Sequence, residues 1–88
     1  MLSIKPTGQE RVEHSLNLAL KYIDQINEIA LKSPNPLINH KIYSTKIKLS
    51  KTKTKLVFLS IRARDKVTRF YASNALKVIA QKLNKSNF

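Results

Sequence analysis

Cysteine and tryptophan are absent from this 88-residue chain, glycine occurs once, and Asp and Glu together number five. Without cysteine there can be neither disulfides nor thiolate metal sites, which fits a reducing, cytoplasmic compartment. With Gly8 as the sole glycine, no glycine-rich phosphate cradle can be built. Asp65 is the only carboxylate after residue 40, and helix capping accounts for it better than acid–base chemistry. His14 and His40 have no second ligand at metal-binding spacing, and no nucleophile stands beside a base. The expectation is a chain that is not an enzyme and carries no cofactor or metal.

Long apolar runs are missing too. No stretch reaches membrane-spanning length, and the N-terminus lacks the basic-then-apolar layout of a signal peptide. The hydrophobic content, 42%, is nevertheless too high for a disordered basic tail, so residues 1–88 are expected to fold as one domain. Acidic residues are unevenly spread. Residues 1–40 hold four cations and four carboxylates, which cancel; residues 41–88 hold thirteen Lys and Arg against Asp65, which leaves the whole net charge of +12. A neutral half suits packing on protein, and a polycationic half suits a polyanion. Self-repulsion of this size in so small a chain also implies a partner.

The sequence predicts a helix over about 8–32. Thr7-Gly8-Gln9-Glu10 has capping-box spacing, and Ser33-Pro34-Asn35-Pro36 ends the segment because each proline bars its predecessor from helical angles. Val12, Leu16, Ala19, Leu20, Ile23, Ile26, Ala30 and Leu31 share one face. Leu18, Tyr22 and Ile29 form a second ridge that either covers the edges of the core or docks a partner helix. After residue 40 the apolar period shifts to two: Tyr43, Thr45, Ile47 and Leu49 alternate with Ser44, Lys46 and Lys48. Strands are predicted over about 41–49 and 55–63, joined by a loop at Ser50–Thr54, polar but without glycine. The return strand is apolar on both faces at its start, so it is either central in the sheet or has its outer side, with Leu56 and Phe58, buried by another chain. Leu2 to Lys5 provide a short third strand. Asp65 caps a closing helix over about 65–84, whose wide apolar arc leaves Leu76 and Leu83 for a partner, and the tail from Asn84 is expected to fray. The fold class is α/β in its α+β form, with two helices packed on one face of a small antiparallel sheet.

The cations form the strongest chemical signal. Lys46 and Lys48 project from one strand, Lys51, Lys53 and Lys55 continue through the turn, and Arg62, Arg64, Lys66 and Arg69 gather where the second strand enters the helix. Arginine forks and mobile lysine charges together can follow a phosphate backbone with little sequence preference. Lysines on an edge strand also serve to block aggregation, and for Lys46 and Lys48 both readings stand. With few aromatics in the strands, structured RNA or duplex backbone fits better than single-strand reading.

From Ser33 onward the chain resembles the small dimerising subunit of the KEOPS/EKC complex, the CTAG/LAGE-type family. The likeness rests on Ser33-Pro34-Asn35-Pro36 after the first helix, on two alternating strands ending in Ile61-Arg62-Ala63-Arg64-Asp65, and on Arg69 and Asn74 in the closing helix. It implies a non-catalytic subunit that forms a homodimer through its sheet. Such a subunit bundles its helices with the large threonylcarbamoyl-transferring subunit and helps to hold tRNA. The alternative is a stand-alone small basic architectural protein that binds DNA.

Overall fold

The computed structural model describes residues 8–32 and 36–86, and among them there are three helices and no strand. Helix α1 is Gly8–Lys32, α2 is Pro36–Arg62 and α3 is Lys66–Asn84, and each packs against the other two. The chain is therefore an all-α three-helix bundle, and the predicted β-hairpin with helices on one sheet face is overturned. The expected cap Thr7 and the short strand from Leu2 to Lys5 lie outside the described residues.

Residues 41–49 and 55–63 fall within one continuous rod, apart from Ala63 just beyond its end. The reason lies in a heptad that the two-residue alternation masked. Ile42, Thr45, Leu49, Thr52, Leu56, Leu59 and Ala63 recur at alternating steps of three and four, the spacing that keeps one helical stripe facing a neighbour. Thr45, Leu49 and Leu56 are buried, and Ile42 and Leu59 pack against them from the rim of the core. Of the alternating set Tyr43, Thr45, Ile47 and Leu49, only the pair Thr45 and Leu49 points inward; Tyr43 and Ile47 are exposed.

Threonine's β-branching signals strand, yet here the hydroxyls are absorbed by the helix. Thr45 Oγ1 donates to the Lys41 carbonyl at 2.9 Å, Thr52 Oγ1 to Lys48 at 2.9 Å and Thr54 Oγ1 to Ser50 at 3.0 Å. Each reaches back one turn, which satisfies the polar group without breaking the backbone ladder. Pro36 begins α2 at the position where a missing N–H costs nothing, and Arg62 in the last turn suits the negative end of the helix dipole.

The core is small and built from mixed sizes. Ile23, Ile26, Leu56 and Ile79 are its large, fully buried members, and Ala19, Ala72 and Ala75 let the helices approach closely. On α3, Thr68, Ala72, Ala75 and Ile79 face inward, whereas Val67, Phe70, Tyr71 and Val78 face out. Three helices, each meeting two neighbours, need a wider apolar arc than a sheet face would. That explains the second ridges: Tyr22, Leu76 and Leu83 complete the rim of the core.

Asp65 caps α3 by accepting from Val67 N at 3.1 Å, and Thr68 Oγ1 donates to the same carboxylate at 3.1 Å. At the other end, Asn27 Nδ2 donates to Ser86 Oγ at 3.0 Å, and Lys82 pairs with Asp24 at 2.7 Å. These two ties link the end of α3 to α1.

Candidate polyanion interface

Helical placement redistributes the predicted cations. Lys41, Lys48, Lys55 and Arg62 stand seven residues apart, two turns of helix each, and so form a single row along α2. Successive members are separated by about 10 Å and the row runs about 31 Å, at 1.5 Å per residue. Lys51 falls beside it, between Lys48 and Lys55. All five side chains are exposed. Lys41 was not among the predicted site residues, although its seven-residue spacing to Lys48 was visible in the sequence.

The row borders α1. Lys51 and Lys55 line a shallow cleft with His14, Ser15, Leu18 and Thr52, and Lys55 continues into a second cleft with Arg11, His14 and Phe58. None of the residues lining either cleft is acidic. On the side of α1 towards α3, Glu13 lines the α1–α3 groove and Asp24 pairs with Lys82. Glu13 and Asp24 thus lie away from the clefts that Lys51 and Lys55 line.

The other predicted cations do not join this row. Lys46 and Lys53, themselves seven apart, lie on the opposite flank of α2, and Lys53 is half-buried. Arg64 and Lys66 are exposed around the α2–α3 turn. Arg69 is occupied within the fold. Its guanidinium donates to the carbonyls of Ala63 and Arg64, closing the turn and meeting the carbonyl end of α2. A group so engaged is a poor phosphate ligand.

The predicted protein-contact residues also divide. Leu56 has no accessible surface and belongs to the core, so it offers nothing to a partner. Leu18, Tyr22, Ile29, Leu76 and Leu83 are half-buried, and Leu18 lines the α1–α2 cleft. Phe58, placed by the sequence on a strand face for contact with another chain, is 59% exposed on α2. Sequence reasoning passed over Tyr43, Ile47, Val57 and Ile61, which make an exposed apolar strip on α2 between its two cationic flanks. His14, set aside in the sequence for want of a second metal ligand, lines both clefts.

Among the described residues no group of three or more His, Cys, Asp or Glu is placed to hold a metal, and no helix is long and apolar enough to cross a membrane. No protein-family model matches the sequence, and neither a curated protein nor a solved structure matches it.

Proposed function

We propose that this chain is a non-catalytic nucleic-acid-binding protein of the cytoplasm that lays α2 along a phosphate backbone. The supporting observation is the exposed row of Lys41, Lys48, Lys51, Lys55 and Arg62 on one rigid helix. A row of charges on a rod keeps its spacing without ordering a loop, so less entropy is lost on binding. Contacts of this kind fix position and supply affinity but carry no base identity. The narrower role implied by the likeness to the KEOPS small subunit is to hold tRNA beside a threonylcarbamoyl-transferring partner. It rests on paired strands, and residues 41–62 form one helix, so the proposal stops at nucleic acid.

Fluorescence anisotropy against a blunt DNA duplex and a folded RNA, over a range of salt, tests this. Neutralising five phosphates gives a log–log slope of about −4.5 on duplex DNA. Replacing Lys48, Lys51 and Lys55 together by Gln should shallow that slope by about 2.7, at 0.9 per phosphate. Replacing Lys46 and Lys53 should change it less. A flat salt response, or a triple variant that binds like the native chain, would overturn the proposal.

A further inference from the structure

The α1–α2 junction offers more than charge. Arg11, His14 and Lys55 surround a cleft of about 350 Å³ whose apolar wall is Phe58 and Leu59. Past Lys55 the groove narrows into a cleft of about 160 Å³ that reaches Lys51. Phe58 stands one turn beyond Lys55 on α2, lines the wider part and is 59% exposed. An aromatic face left open beside several cations, with no carboxylate in the lining, has the chemistry of a base resting on a ring while its phosphates are neutralised.

We propose that this cleft seats one unpaired base of a bound strand. Phe58 stacks on the base, and Arg11 and Lys51, towards opposite ends of the groove, take the flanking phosphates with Lys55 between them. The inference rests on the nucleic-acid reading and sharpens it: the preferred ligand has an unstacked base, as a single strand, loop or bulge does. A blunt duplex can use the row of cations on α2 but cannot fill the cleft.

The native chain has no tryptophan, so Phe58→Trp places a unique indole in the site. On titration with a short oligothymidylate its emission should be quenched, with affinity within a few-fold of the native protein. Phe58→Ala should bind the same oligonucleotide about 5- to 150-fold more weakly, the range for losing one base stacked on an aromatic side chain. Its affinity for a blunt duplex and its salt slope should stay unchanged. Because the ring is exposed, Phe58→Ala should keep native helicity and melting, which circular dichroism checks. If nothing binds the native protein, the nucleic-acid reading itself falls. If the native protein binds but Phe58→Ala weakens duplex and single strand equally, or the indole is not quenched, the base seat alone is overturned.

Discussion

At the scale of single residues, the bundle depends on one close approach. A methyl group on Gly8 would lie 2.8 Å from Thr68 Cγ2 and closer still to its Oγ1. Thr68 cannot easily yield, because it is buried, β-branched and bonded to the Asp65 cap. Gly8→Ala should therefore destabilise the fold by about 1–3 kcal/mol through overpacking. At the first residue of α1 it gains little helix propensity in return. Thr68→Ala should also cost stability, by losing its bond to Asp65. The double variant should be more stable than the two separate losses imply, since the second change makes room for the first. A double-mutant cycle by thermal melting measures this coupling; additive losses would show that α1 starts further from α3 than it does here. Arg69 carries the complementary lesson. Its charge suggested phosphate, but its position four residues into a capped helix lets the side chain fold back on the preceding turn.

At the scale of elements, the fate of residues 41–63 shows what the sequence revealed and what it hid. The segments predicted as flanking helices do contain α1 and α3, because proline punctuation, an Asp cap and a 3.6-residue period are local signals. The middle segment was ambiguous in kind. A series of alternate residues always contains pairs four apart, so Thr45 with Leu49 fits either period, and β-branched threonines tilted the reading towards strand. The discriminating feature was an absence: no glycine, proline, Asn or Asp interrupts residues 41–64, so the supposed hairpin had no turn chemistry. The candidate site suffered in turn. Alternation put Lys46 and Lys48 on one face, whereas helical rise turns them to opposite flanks and joins Lys48 to Lys41, Lys55 and Arg62. Lys51→Pro separates the two architectures. In a loop over 50–54 it would be tolerated; in the middle of α2 it removes a backbone bond and clashes with the preceding turn, costing about 3 kcal/mol or more. Urea unfolding should show that loss, and an unchanged midpoint would restore the hairpin.

At the scale of the whole molecule, the uneven charge sets the terms on which copies meet. The apolar strip of Tyr43, Ile47, Val57 and Ile61 is the surface on α2 that a second copy would use, and it lies between two cationic flanks. Pairing two strips brings lysine rows of like sign together in molecules that each carry +12. Repulsion between rows is felt while the screening length matches the spacing along a row, about 10 Å at 0.1 M salt, and fades when it falls to about 3 Å at 1 M. Apolar contact is not weakened in the same way. Self-association should therefore run opposite to nucleic-acid binding: monomer at low salt, with dimer gaining as salt rises, and Ile61→Glu abolishing the gain. Sedimentation velocity at the two salt levels measures it. A dimer indifferent to salt would place the contact away from α2. One that weakens with salt would mean that carboxylates of one copy meet the cationic row of another, an arrangement that occupies the proposed binding face and must compete with any polyanion for it.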